Sequence, residues 1–162
     1  SSRPSLIPLI ERYDRLIILQ TLSKAHGMAG LRMGLAVADA EIIKYFNMVR
    51  YPYNVGSDTL ALADSLLPDD IGAQVTELKI ERQKLSAALA ELKFVRKVYP
   101  SDANFVLVVF DSPKEVYDIL LKERVIVRDR SSVRGCEGAL RITVGTPAEN
   151  ARLMQILKEY DK

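Results

Sequence analysis

Apolar and polar positions predict an alternation of strands and helices from the start of the chain. The continuous apolar run at residues 16–19 is typical of a strand buried on both faces. Residues 35–38 predict a second strand, and Asp39 then stands where an N-cap precedes a helical pattern that continues to Val49. The proline and glycine within residues 51–56 break regular structure and predict a loop.

The middle of the chain predicts two helices, the second of them long. The first begins at Ser57 or Asp58 and ends near Pro68. The second, over residues 70–92, has apolar side chains at the spacing of one helical face, interrupted by Arg82. A helix of this length is more typical of a bridge between substructures than of one small domain.

The remainder predicts a small α+β unit. Strands are expected at residues 103–110, 125–130 and 140–145. Capping boxes with proline at the first helical position begin at Ser112 and at Thr146, and predict two further helices. We therefore expect an α/β chain in which residues 1–56 are the tail of one domain and residues 57–162 form a second, α+β domain.

Composition narrows the functional classes. The 162 residues carry a net charge of +2, which gives no reason to expect nucleic acid or a membrane as a partner. A single cysteine, Cys136, cannot form an internal disulfide, and the sequence has neither a spanning apolar run nor a signal-peptide pattern. These features favour a soluble cytoplasmic protein, and no metal site is predicted.

A lysine followed by a glycine-rich turn is the most informative segment. The strand at residues 16–19 leads to Ser23 and Lys24, and Arg32 lies between Gly30 and Gly34. Two cations and a hydroxyl beside flexible backbone would suit an anion. A solvated surface lysine is the ordinary alternative, and the Gly-Lys-Ser/Thr of a Walker phosphate loop is absent.

Two arginines near the end of the chain occupy strand positions. Arg128 shares a face with Ile126, and Arg141 lies among apolar neighbours in the strand at residues 140–145. Arginine in an apolar strand is costly unless an anion pairs with it. From the residues alone, a salt bridge with a local carboxylate is the first interpretation and a bound anion the second, whereas Arg130 is expected on a solvated rim with Arg124 and Arg134.

The lysine turn resembles the signature of fold-type-I aminotransferases, which depend on pyridoxal phosphate. The matching residues are Ser23-Lys24 and Ala29-Gly30-Leu31-Arg32 with Gly34. The resemblance implies that Lys24 holds the cofactor covalently and is catalytic, and that Ser23 and Arg32 contact the cofactor phosphate. His26 departs from the family, which more often has an aromatic residue there, and we expect it to be structural.

The final strands resemble histidinol-phosphate aminotransferases through Ile126-Val127-Arg128-Asp129 and Leu140-Arg141-Ile142-Thr143-Val144-Gly145-Thr146. The resemblance implies that Arg141 clamps the substrate α-carboxylate and that Arg128 helps to bind the substrate phosphate. It implies amino transfer between glutamate/2-oxoglutarate and histidinol phosphate/imidazole-acetol phosphate in histidine biosynthesis, by a homodimer. The fold implied is the C-terminal part of a fold-type-I transferase, with the tail of its large-domain sheet and a small C-terminal domain.

Three expectations remain open. Threonine-phosphate decarboxylase or another class I/II aminotransferase is the closest alternative, because it shares the fold and the lysine turn. A non-catalytic fold remnant that serves in assembly is the alternative of another class. Because the resemblance covers only the latter half of such enzymes, we expect this chain alone to be inactive or nearly so.

Overall fold

The computed structural model describes residues 4–67 and 70–161, which form two compact units. The first unit extends to Gly72 and the second begins at Ala73. The boundary between the two units thus lies later along the chain than the boundary predicted between residues 56 and 57.

The first unit contains a small sheet and two α-helices. Asp39 caps the first helix by accepting a hydrogen bond from the backbone N–H of Glu41, as the sequence predicted. The predicted end of the second helix near Pro68 lies outside the described residues. In chain order the elements are a 3-10 helix (Ile7–Glu11), β1 (Ile18–Thr21), a 3-10 helix (Ala29–Leu31), β2 (Gly34–Val37), α1 (Ala40–Val49) and α2 (Ser57–Leu66).

The prediction of a strand buried on both faces at residues 16–19 is wrong. The observed strand is β1, which pairs antiparallel with β2, and in the described part of the chain these two strands form a sheet of their own. The side chain of Leu19 is 78% exposed, and Leu35 on β2 is also exposed. An apolar run predicts a strand that other elements bury, but within the described first unit no element packs over the side chain of Leu19.

The second unit is an antiparallel sheet with three helices. The strand order is β3-β4-β6-β5. β3 was not predicted, because its two outward positions are charged. The strand predicted at residues 125–130 is observed only as the two residues of β5. The elements are α3 (Gly72–Ala90), β3 (Val95–Val98), β4 (Phe105–Phe110), α4 (Pro113–Lys122), β5 (Arg128–Asp129), β6 (Ala139–Thr143) and α5 (Pro147–Tyr160).

One face of this sheet carries the core. Along β4 every second side chain is buried, and leucines from α3 and α4 pack with them. The capping box at Thr146 is confirmed, whereas Ser112 makes no side-chain cap to α4. The fully buried side chains of largest volume are Phe110, Leu89, Leu120, Leu140, Ile142, Leu157, Val106, Val108 and Val116. The α/β class and the α+β character of the second unit are confirmed.

Candidate functional site

The pairing of β1 with β2 closes the loop that carries the candidate lysine. Thr21 pairs with Gly34, and Ser23 and Arg32 each lie two residues inside this pair. The Ser23 backbone N–H donates to Thr21 Oγ1 at 3.1 Å, and the Thr21 hydroxyl donates to Ser23 Oγ at 2.8 Å. Ser23 is therefore fixed at the neck of the loop, just after β1, while Arg32 lies just before β2.

Arg32 has an uncommon backbone conformation. Its φ of 53° lies in the left-handed region, which costs a residue with a side chain about 1–3 kcal/mol. One of its guanidinium nitrogens donates to the carbonyl of Ala29 at 3.2 Å, and the side chain is exposed. Close packing follows at Gly34, where a Cβ atom would come within 3.2 Å of the Gln20 carbonyl oxygen. The tight return of the chain thus sets the position of Arg32.

Lys24 lies at the exposed surface of the same loop. The Gly27 N–H donates to the Lys24 carbonyl at 3.0 Å, and Gly27 has a φ of +66°, as this turn requires. Below it the buried side chains of Leu22 and Met28 anchor the loop, with a backbone hydrogen bond between them. In the described residues no hydrogen bond or ion pair engages the Lys24 amine. The amine is therefore accessible to a ligand, while its backbone is held.

Arg141 lies at the centre of the second group of candidate residues. On β6 it faces Arg128 of β5 on one side and Leu107 of β4 on the other. Its guanidinium carbon is 5.0 Å from the centre of the Phe105 ring. Its Nε is buried and has no hydrogen-bond partner among the described residues. The ion pairs of the described residues do not include Arg141, so the local salt bridge considered from the sequence is not observed there.

The surroundings of Arg141 disfavour the charged form of its guanidinium group. Burial lowers the pKa of the Arg141 guanidinium from its ordinary value, and the nearby charges of Arg128 and Arg130 lower it further. Arg128 is exposed, but Arg130 is half-buried, in contrast to the solvated rim expected for it. Arg124 and Arg134 are exposed, as predicted.

A buried network that the sequence did not reveal fixes the segment after Arg141. The carboxamide of Asn150 accepts from the Gly145 N–H at 3.0 Å and donates to the Gly145 carbonyl at 3.0 Å and to Glu81 at 3.1 Å. Hydrogen bonds from Lys84 and Asn150 hold the pKa of Glu81 below its ordinary value. The network ties the segment between β6 and α5 to both α5 and α3. From the sequence, only the neighbouring Arg82 was singled out, as the interruption of an apolar helical face, and Glu81 was not identified.

The capping box of α5 contains a second carboxylate, that of Glu149, whose hydrogen bonds favour its ionised form. Glu149 accepts hydrogen bonds from the Thr146 N–H and hydroxyl, which hold the pKa of Glu149 below its ordinary value of 4.5. This stabilisation is therefore fully present above the ordinary pKa of 4.5 and is lost as the pH falls through the lower pKa of the folded state.

We expect the free energy of unfolding to fall as the pH drops below the ordinary carboxyl pKa of 4.5, and Glu149→Gln to reduce both stability at neutral pH and the steepness of this fall. Urea unfolding of the unaltered chain and the variant across this range measures both quantities. An identical pH dependence in the two proteins would contradict the assigned role of Glu149.

A cavity of about 560 Å³ lies elsewhere in the second unit. It is lined by apolar side chains that include Ile126, Ile142 and Leu153, and by the ion-paired Glu123 and Arg152. Arg128 and Arg141 do not line it. The lysine loop and the arginines, whose chemistry is specific, are therefore the candidate site, and this cavity is separate from the arginines.

The candidate residues thus fall into two groups, each described within its own unit. Ser23, Lys24 and Arg32 share the loop between β1 and β2, and Arg128 and Arg141 face each other across β5 and β6. Within the described residues, no group of three or more His, Cys, Asp or Glu side chains could hold a metal ion. In the same part of the chain, no helix has the length and apolar character needed to cross a membrane.

Comparison with known proteins gives a consistent result. The family model described as "Aminotransferase class I and II" matches residues 1–157. A histidinol-phosphate aminotransferase of Parabacteroides distasonis is 46% identical over 160 residues, which cover 98% of this chain and 46% of that protein. The chain therefore spans about half the length of the curated relatives it matches.

Solved structures agree with this match. The histidinol-phosphate aminotransferase of Clostridium acetobutylicum superimposes with a TM-score of 0.87 at 25% identity, covering 99% of this chain and 50% of that one. L-threonine-O-3-phosphate decarboxylase of Porphyromonas gingivalis gives 0.76 at 24% identity, with coverages of 95% and 49%. The histidinol-phosphate aminotransferase of Sinorhizobium meliloti, in complex with pyridoxal-5'-phosphate, gives 0.76 at 22% identity, with coverages of 93% and 44%. The last two similarities concern the fold alone.

Proposed function

Because this chain belongs to the class I and II aminotransferase family, we propose that it forms part of a histidinol-phosphate aminotransferase. The reaction is amino transfer between glutamate/2-oxoglutarate and histidinol phosphate/imidazole-acetol phosphate, a step of histidine biosynthesis. The observation that carries the proposal is the lysine loop, in which Lys24 has an accessible amine between Ser23 and Arg32, within a chain 46% identical to an enzyme of that name.

The loop fits pyridoxal phosphate. The cofactor needs a primary amine for covalent attachment and donors for a dianionic phosphate. Lys24 supplies the amine, while the Ser23 hydroxyl and the Arg32 guanidinium supply donors at the neck of the loop. When bound, the cofactor would supply an electron sink for the carbanion that forms at the substrate Cα. The Sinorhizobium meliloti neighbour that contains this cofactor has the same fold.

Lys24 has two tasks in this mechanism. Its amine would hold the cofactor covalently. When free, the same amine would be the general base that takes the proton from the substrate Cα, and the general acid that gives a proton back. The hydrogen-bonded backbone of the Lys24–Gly27 turn keeps the base of the side chain fixed while its amine moves.

The arginines provide substrate binding. A guanidinium group meets a carboxylate in two parallel hydrogen bonds, and Arg141 offers a fork whose Nε has no partner among the described residues. We assign the α-carboxylate of glutamate to Arg141 and the substrate phosphate to Arg128, which faces Arg141 across the two strands. Histidinol phosphate has no carboxylate, so in that half-reaction Arg141 is available to its phosphate.

The remaining proposals concern the whole protein. We propose that it works in the cytoplasm on small-molecule substrates, with neither nucleic acid nor a membrane as partner, and that the intact enzyme is a homodimer. The balanced net charge of +2 supports the absence of a nucleic-acid partner.

Threonine-phosphate decarboxylase is the second candidate, because its substrate also carries a phosphate and its fold matches this chain. We expect the complete protein to transfer the amino group of histidinol phosphate to 2-oxoglutarate, and to release little or no carbon dioxide from threonine phosphate. Steady-state comparison of kcat/KM for the two substrates tests this. A preference for threonine phosphate would overturn the assignment.

A non-catalytic assembly role is the candidate of another class, and the exposed apolar side chains of the first unit are the observation in its favour. The retention of Ser23, Lys24 and Arg32 in one loop, together with Arg141, favours the enzyme. Failure of the complete protein to bind pyridoxal phosphate would favour the assembly role.

A further inference from the structure

Three arginine side chains share one face at the edge of the second sheet. Arg128 and Arg141 are cross-strand partners, and the Arg130 N–H donates to the Ala139 carbonyl at 2.9 Å, which continues the same register. Because side chains two residues apart on a strand share a face, Arg128, Arg130 and Arg141 project from the same side. We call these three residues the arginine triad.

Within the described part of the chain, no carboxylate forms an ion pair with the triad. Asp129 alternates to the other face, and its carboxylate accepts from the Ser131 N–H at 2.8 Å, while Glu137 accepts from the Gly135 N–H at 2.9 Å. The acids in this segment thus bind backbone instead of the guanidinium groups. Like charges directly across a sheet destabilise it, so the arrangement costs stability in the absence of an anion.

Arg141 shows where the anion would bind. Its Nε is shielded from water without a hydrogen-bond partner in the described structure, and Phe105 covers the guanidinium at 5.0 Å. A buried donor without an acceptor is costly, and a charged acceptor would relieve the cost. Arg130 and Arg128 both add to the positive potential at this point. A doubly charged anion offsets such a cluster better than a singly charged one.

We propose that Arg130 is a third phosphate-binding residue, which acts with Arg128 and Arg141 to recognise the dianionic phosphate monoester of the substrate. This inference rests on the proposed function and adds a determinant of specificity to it. A carboxylate is satisfied by one guanidinium fork, whereas a phosphate presents more acceptor oxygens than one fork can fill. Arg130 therefore contributes to phosphate binding and little to carboxylate binding.

The test follows the arginine Nε–H signals of the chain in proton–nitrogen correlation spectra during titration with inorganic phosphate and, separately, with acetate. We expect the signals of all three triad arginines to shift together with phosphate. Arg130→Gln should weaken phosphate binding about tenfold, the loss expected for one charge-assisted hydrogen bond, and change acetate binding less than twofold. Arg130→Lys keeps the positive charge but loses the two-pronged guanidinium group. Its phosphate affinity should lie between that of the unaltered chain and that of Arg130→Gln.

Arg134→Gln is the matched control, because Arg134 is an exposed arginine of the same loop. Equal phosphate affinities of Arg130→Gln and Arg134→Gln would overturn the proposal, as would the absence of any phosphate-dependent shift at the triad. The proposed function is tested separately by attachment of pyridoxal phosphate to Lys24. If Lys24 of the complete protein does not react while the triad binds phosphate in the expected way, the enzyme assignment fails and the triad site stands.

Discussion

Replacement of Lys24 by alanine is expected to abolish specific attachment of pyridoxal phosphate to this chain. Lys24 is exposed in a loop whose backbone is held by hydrogen bonds, and Ser23 and Arg32 lie at the neck of the same loop. Incubation with the cofactor, reduction with borohydride and peptide mass spectrometry locate the modified lysine. In the complete protein the same change should lower kcat by about 10²–10⁴-fold or more, since it removes the general acid/base.

Lys44→Ala provides the control, because Lys44 is another exposed lysine of the first unit, on α1. It should leave the labelling of Lys24 unchanged. Labelling spread evenly over the surface lysines of the unaltered chain would count against Lys24 as the cofactor residue, whatever the effect of the alanine variant.

Leu120→Ala should destabilise the second unit by about 2–5 kcal/mol, the range for deletion of a fully buried leucine side chain. Leu120 lies on α4 with 0% of its side chain exposed, and it belongs to the core formed by β4, β6 and the helices. Its removal leaves a cavity in a tightly packed region and costs the contacts of the deleted atoms. Urea unfolding followed by circular dichroism measures the change.

The adjacent residue supplies the control. Leu121 has the same side chain, on the same helix, but is 48% exposed. Leu121→Ala should stay within about 0.5 kcal/mol of the unaltered chain. If the two substitutions cost the same, α4 does not pack on the sheet in the way described.

The helices were predictable from sequence to a greater extent than the sheets. Periodic apolar positions and caps identified all five α-helices within the described residues, and the capping box at Thr146 was confirmed. β3 was not identified, because in a strand of four residues the charged outward side chains hide the apolar ones. The burial of β1 was overestimated, because an apolar run does not reveal which other elements cover it.

The sequence was sufficient to predict which residues belong to the candidate site, but not the burial and the hydrogen bonds of the residues around it. The spacing of Ser23, Lys24 and Arg32 was sufficient to suggest the loop that β1 and β2 close. The half-burial of Arg130 was not visible, because it depends on the register of β5 with β6. The bond from Asn150 to Glu81 joins residues 69 positions apart, a distance at which local patterns carry no information.

The unequal burial of apolar side chains in the two units has a consequence for local stability. The first unit buries three described apolar side chains, Leu22, Met28 and Ala63, against seventeen in the second. A ribbon of two short strands is marginally stable in water without a larger core, so its amide protons should exchange with solvent much faster than those of β4 and β6. The loop that carries Lys24 therefore belongs to the part of the chain that opens most easily, and any ligand bound there stabilises the first unit by mass action.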